Sequence, residues 1–173
     1  IEIVLAKNSE ITIMDSEEML KYLPNKKGII KKFGIFPNDF KDFISDKKAF
    51  FNVIILYSVL QYIHNEQDIW KFLDASLSML SDKGILFLGD IPNKSMRERF
   101  LFSNDGKLFK KKFNQMEPTD MKNRIDLTRQ IDDEIVIEIL NKSRKLGYHS
   151  WVVPQSDELT FSNRREDIII KKP

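Results

Sequence analysis

The stretch FFNVIILYSVL, residues 50 to 60, constrains this chain more than any other segment. It is a near-continuous apolar run, broken by Asn52 near its start and by Tyr57 and Ser58 toward its end. It falls well short of the ~18 apolar residues that span a bilayer. Runs of this length suit strands covered on both faces, as in parallel sheets. The next segment, NEQDIWKFLDASLSML (65–80), reads as a helix: Asn65 stands at the cap, and Ile69, Trp70, Leu73, Leu77 and Leu80 recur at helical spacing. SDKG then breaks the chain at Gly84, a residue free to turn left-handed, and ILFLGD (85–90) reads as a second buried strand.

The flanks extend this strand–helix–strand pattern. Residues 1–8 read as the tail of an amphipathic helix with Ile1, Val4 and Leu5 on one side. Residues 10–14 are a β-branched strand. Residues 16–23 form a short helix, capped by Ser16, with Glu17 and Glu18 at its positive end and Pro24 just beyond. A weaker strand covers 29–36 and stops at Pro37. Residues 92–130 show no strong period, 132–147 form a helix ending at Gly147, and YHSWVV and REDIIIKK form a terminal hairpin through QSDELTFSNR. Alternation of this kind predicts an α/β fold with a mostly parallel sheet, helices on both faces and an antiparallel C-terminal strand pair. The length of 173 residues and the lack of a linker predict one domain over 1–173.

Composition removes several function classes. With 42% hydrophobic and 31% charged residues the chain is globular, not disordered. It has no cysteine, hence no disulfide framework and no thiolate chemistry, and with two histidines a structural metal site is not expected. A cysteine-free chain with no apolar span or signal segment fits a cytoplasmic location and no membrane partner. A net charge of +2 gives nucleic acid little to bind.

In open α/β sheets, ligands bind beyond the carboxyl ends of the strands. The residues there are Asp15-Ser16, Asn38-Asp39-Phe40, Tyr57-Ser58-Val59 and Asp90-Ile91-Pro92-Asn93. An acid in the place of Asp15 can accept two hydrogen bonds from a ribose diol, although a helix-flanking acid is the plainer alternative. Asp39 sits in a Pro-Asn-Asp turn signal, and Phe40 could simply be a core aromatic.

Taken together, EITIMDSEEML, FPNDF, the stretch FFNVIILYSVLQYIHNEQDIWKFLDASLSMLSDKGILFLGDIPN and KLGYHSWVV…REDIII resemble the class I S-adenosylmethionine-dependent methyltransferases, whose fold is Rossmann-like. The resemblance covers nearly the whole chain apart from 94–125. It implies S-adenosylmethionine as cofactor. Asp15, with Ser16 beside it, would bind the ribose hydroxyls, and Met19 would pack near the adenosine. Asp39 would meet the adenine amino group with Phe40 against the ring, and Tyr57, Ser58 and Val59 would line the methionine end. Gln61 and Tyr62 would sit where substrate and cofactor meet, with Asn93 and Arg97 as further substrate contacts. Two departures stand out. The family's glycine-rich loop is not in the sequence and would fall just before Ile1, so the domain reads as incomplete at its N-terminus. Asn52 stands where the family usually has an acid.

His64 and Asp90 are the candidate proton acceptors. An imidazole titrates near pH ~6.5 and suits proton removal near neutrality, but the plain reading of His64, and the favoured one, is a solvated residue flanking the helix. Asp90 could act as a base or hold the strand end. His149 reads as structural. Between 94 and 130 there are ten basic residues against five acidic ones, interleaved with Phe100, Phe102, Phe109 and Phe113. A basic lid of this kind would favour an anionic acceptor; the plain reading is a solvated segment whose phenylalanines form a small core or a homodimer contact. The expected activity is methyl transfer to an oxygen or nitrogen of a small molecule, with a sugar or polysaccharide precursor as leading acceptor. The rivals are a non-catalytic partner protein of the same fold, an RNA methyltransferase and a nucleotide-binding oxidoreductase.

Overall fold

The structure, a computed structural model, describes residues 9–63, 65–113 and 131–173. The expected helix at 1–8, His64 and the second part of the basic insert, from 114 onward, lie outside them. The chain divides into two units, Ile1–Lys47 and Lys48–Pro173.

In the first unit, β1 (Ile11–Asp15) and β2 (Ile29–Phe33) pair in parallel, from Ile11 opposite Ile29 to Asp15 opposite Phe33. The crossover carries α1 (Glu17–Lys21). Ser16 caps it as expected, its hydroxyl accepting the Met19 amide at 3.3 Å, and Leu20 is its buried residue. β2 ends sooner than the sequence predicts. Gly34 follows at φ 148, packed closely against Asp39, whose carboxylate accepts the Ile35 amide at 2.7 Å. A short helix absent from the sequence reading, α2 (Lys41–Asp46), completes the unit.

The second unit is built on β3 (Phe51–Tyr57), α3 (Glu66–Ser78), β4 (Leu80–Pro92), α4 (Lys94–Phe102), α5 (Asn104–Phe113), α6 (Asp133–Lys145), β5 (His149–Pro154) and β6 (Arg165–Lys171). Its sheet has the order β3-β4-β6-β5, with β3 and β4 parallel and β6 antiparallel to both β4 and β5. The terminal hairpin is as expected. On one face, Leu86, Leu88, Ile168 and Ile170 are fully buried. Each such side chain contributes about 1.5–3 kcal/mol by leaving water. The Ser150 hydroxyl on this face donates to the Leu140 carbonyl of α6, and Lys142 of α6 pairs with Asp74 of α3 at 3.0 Å while lying over the Trp70 ring. Both helices therefore cover this face. Alternate residues of a strand point to opposite sides; the apolar run suggests burial on both faces of β3, whereas no residue of its own second unit described in the structure buries Val53, Ile55 and Tyr57, which are exposed.

Two further expectations are corrected. Residues 94–113 are helical, not irregular. Asn93 caps α4 through the Met96 amide, and α5 docks on α4 where Gly106 approaches the backbone carbonyl of Phe100 so closely that a Cβ there would stand 2.0 Å from it. The left-handed residue of the SDKG turn is Lys83, at φ 60; Gly84 is instead buried within β4, where a Cβ would crowd Leu80. β4 begins earlier than the sequence implies, because Leu80 pairs with Phe51 and residues 81–84 bulge out before Val53 meets Ile85.

Candidate functional site

The carboxyl ends of β3 and β4 carry two strained residues side by side. Ser58, just past β3, has φ 56, and Asp90 has φ 61 at the point where the β4–β6 register breaks between Leu88 and Ile91. A non-glycine residue in the left-handed region costs about 1–2 kcal/mol and persists only where its surroundings hold it. They do so here. The Ser58 amide donates to the Gly89 carbonyl at 3.0 Å. The Ser58 hydroxyl and the Arg165 guanidinium both donate to Oδ2 of Asp90. The Asp90 amide donates to Oδ1 of Asp167 at 2.8 Å, and the buried Gln155 amide nitrogen donates to that same oxygen at 2.9 Å, with a long 3.5 Å contact to Oδ1 of Asp90.

These groups border a cavity of about 270 Å³ lined by Tyr57, Asp90, Gln155, Leu159, Thr160, Phe161 and Arg165. Tyr57 lies across Gly89, its register partner on β4. Two cations stand against Phe161: the guanidinium of Arg164 is 4.8 Å from its ring centre and that of Arg165 is 5.0 Å from it. Arg164 also lies over Phe100 and Phe109, which ties the loop between β5 and β6 to α4 and α5. Contacts of this type contribute on the order of 0.5–2 kcal/mol each.

The remaining candidates fall as follows. Gln61 and Tyr62 lie on one 3₁₀ turn; Tyr62 is exposed, and the buried Oε1 of Gln61 has no hydrogen-bond partner among the described residues. Val59 is half-buried just before that turn, and Arg97 is half-buried on α4. Asn93 is fully buried and engaged: Oδ1 accepts the Met96 amide, and Nδ2 donates to Asp133 at 2.8 Å and to Glu166. Asp133 in turn binds Arg99. The hydrogen bond from that guanidinium holds the Asp133 carboxyl below the ordinary carboxylate range, while partial desolvation opposes the shift, and the same bond raises Arg99. In the first unit, Asp15 is exposed at the end of β1, with Oδ1 accepting the Ser16 amide at 2.7 Å. Met19 is exposed beside it on α1. Asp39 is engaged at the Ile35 turn, and Phe40 is buried between Phe36 and Phe43, each ring 6.4 Å away.

Sequence reasoning reached Tyr57, Ser58 and Asp90 but missed Gln155, Phe161, Arg165 and Asp167. The available signal was the charged run NRRED directly before the apolar IIIK of the last strand. No cluster of metal-ligating side chains occurs among the described residues, and none of the described helices is long and apolar enough to cross a membrane.

A cavity at the carboxyl ends of parallel strands, in a sheet flanked by helices, is where open α/β folds of the Rossmann-like class bind their ligands. Solved structures specify the class further. Over 95% of its length the chain is similar to the methyltransferase domain of bacterial CtHen1-C, with a TM-score of 0.60, 13% identity and 77% of that chain covered. Over 99% it is similar to a SAM-dependent methyltransferase from Methanosarcina mazei, with a TM-score of 0.55, 14% identity and 86% of that chain covered. The CurJ carbon methyltransferase matches at a TM-score of 0.51 and 13% identity, over 95% of this chain and 42% of that one. The fold is thus the Rossmann-like methyltransferase fold. No protein-family model and no curated protein matches the sequence.

Proposed function

We propose that the chain is an S-adenosylmethionine-dependent methyltransferase acting on an oxygen or nitrogen of a small molecule. The observation that carries this is Asp15. It ends a parallel strand, is exposed, and keeps Oδ2 clear of any hydrogen bond from a described residue while Oδ1 holds the Ser16 amide. A ribose diol needs an acceptor of this kind, and desolvating the acid without such a partner would be costly. Met19 offers an apolar surface to the adenosine. The second unit has a group of its own suited to a ligand: the orphaned Oε1 of Gln61 would accept a hydrogen bond from a bound molecule.

When bound, the cofactor supplies a sulfonium whose methyl carbon is electrophilic. The protein's task is then to aim the acceptor's lone pair and exclude water. Asp90, held by Arg165 and Ser58, is assigned to fixing the strand end. His64 is the candidate for proton removal.

Calorimetric titration with S-adenosylhomocysteine tests the reading. Binding should weaken at least about 10-fold in Asp15→Ala, consistent with the ~1.5–3 kcal/mol of hydrogen bonds to a charged group. Tighter binding of NADH than of S-adenosylhomocysteine would reject it.

A further inference from the structure

We propose that the cavity at the ends of β3 and β4 is the acceptor site and that it takes a neutral, planar aromatic or heteroaromatic ring, an inference that rests on the methyltransferase reading. Two aromatic side chains on its lining are fixed but left open to water. Tyr57 is 51% exposed although its ring is seated on Gly89, and Phe161 is 39% exposed although Arg164 and Arg165 both contact its ring. Rigid, half-exposed rings lining one cavity favour a flat apolar ligand, which can stack or meet them edge-on and loses little of their ordering entropy. The volume of about 270 Å³ lies just below the usual range of ligand pockets and suits a small ligand of one or two fused rings.

Charge argues in the same direction. Among the described residues the only cation lining the cavity, Arg165, is already paired with Asp90, and the pair is largely shielded, with side chains 20% and 14% exposed. An anionic ligand would have to compete with Asp90 for that guanidinium. One lining group remains suited to orient a ring. The amide nitrogen of Gln155 is turned toward the Asp167 and Asp90 carboxylates, which leaves its carbonyl oxygen as an acceptor for a ring N–H or O–H. The neutral planar class therefore displaces the anionic acceptor that the basic insert suggested from sequence.

The test uses the full chain and three probes in calorimetric or NMR titrations: indole (neutral and planar), benzoate (planar and anionic) and glucose 6-phosphate (anionic and not planar). Indole should bind at least 10-fold more tightly than either anion. Phe161→Ala should weaken indole at least 10-fold and leave S-adenosylhomocysteine affinity within twofold. Leu159→Asp, a change at an exposed lining residue, should do the same if Phe161→Ala disturbs folding, which thermal melts would reveal. Either anion binding more tightly than indole, no indole binding, or indole binding indifferent to the folded variants would overturn the proposal. Failure of S-adenosylhomocysteine to bind, with indole behaving as stated, would instead remove the methyltransferase reading and leave the planar-ring site standing.

Discussion

The ring of Tyr57 occupies the space that a side chain on Gly89 would need: a Cβ at position 89 would stand 2.5 Å from Cδ2 of Tyr57 and 2.7 Å from Cε1 of Phe87. The two residues face each other across the parallel β3–β4 pair, so glycine sets where the aromatic wall of the cavity stands.

Gly89→Ala should therefore displace Tyr57 and cost about 1–3 kcal/mol, the usual penalty of overpacking. Urea unfolding measures it. Adding Tyr57→Ala removes the obstruction, so the double variant should be less destabilised than the sum of the singles by at least about 1 kcal/mol. Additive losses would mean that the ring simply swings away and Gly89 does not place it.

The Asp90–Arg165 pair joins the end of β4 to the start of β6 and also receives the Ser58 hydroxyl. Asp90→Asn leaves a shielded guanidinium without its counter-charge and should cost about 2–4 kcal/mol, toward the low end because the pair keeps some contact with water. Arg165→Met should cost less, since Ser58 and Gln155 still donate to the carboxylate. A double-mutant cycle should give a coupling of at least about 1 kcal/mol. A coupling near zero would make the contact incidental.

Asp133 gives the chain a small acid sensitivity. Its folded-state value lies below the ordinary 3.8, chiefly through the Arg99 hydrogen bond. A depressed carboxylate contributes stability that is fully present above its unfolded value and is lost as the pH falls through its folded value. The window thus opens at about pH 4 and extends downward. Both side chains are more than a third exposed, so solvent screening keeps the contribution below about 1 kcal/mol. Asp133→Asn should lower the urea midpoint at pH 6, and the gap to the parent should narrow between pH 4 and pH 3. A gap that stays constant over that range would assign the loss to neutral hydrogen bonds alone.

The sequence exposes elements whose reasons are local. Asn65 and Ser16 announce their helices because a cap bonds three residues ahead, and the apolar runs of β4 and β6 announce buried strands. It hides what depends on distant partners. Helix α4 has no buried residues of its own and stands on Asn93, on the Gly106 approach and on an Arg99–Asp133 bond between residues 34 apart. The same holds at the site. Tyr57, Ser58 and Asp90 were legible as strand ends, whereas Arg165 is 75 residues from Asp90 and Phe161 lies in a loop without a period. Gly84 looked like the left-handed residue of its turn, yet packing against Leu80 reserves it for the strand and leaves φ 60 to Lys83.

Ser58 offers the most direct test of whether strain is stored at the strand ends. Its φ of 56 places a Cβ where L-residues are disfavoured, and its hydroxyl is bonded to Asp90. Ser58→Ala loses the hydrogen bond, worth about 1 kcal/mol, and keeps the strain. Ser58→Gly loses the same bond but relieves about 1–2 kcal/mol of left-handed cost, less the extra freedom that glycine has in the unfolded chain. Ser58→Val adds a β-branched side chain to a conformation it tolerates worst. The expected stability order in urea is parent and Gly close together, Ala lower by about 1 kcal/mol, and Val lowest. An alanine variant as stable as the glycine variant would mean that the backbone at 58 relaxes freely, and the hydrogen bonds around Asp90 would then hold no strained conformation in place.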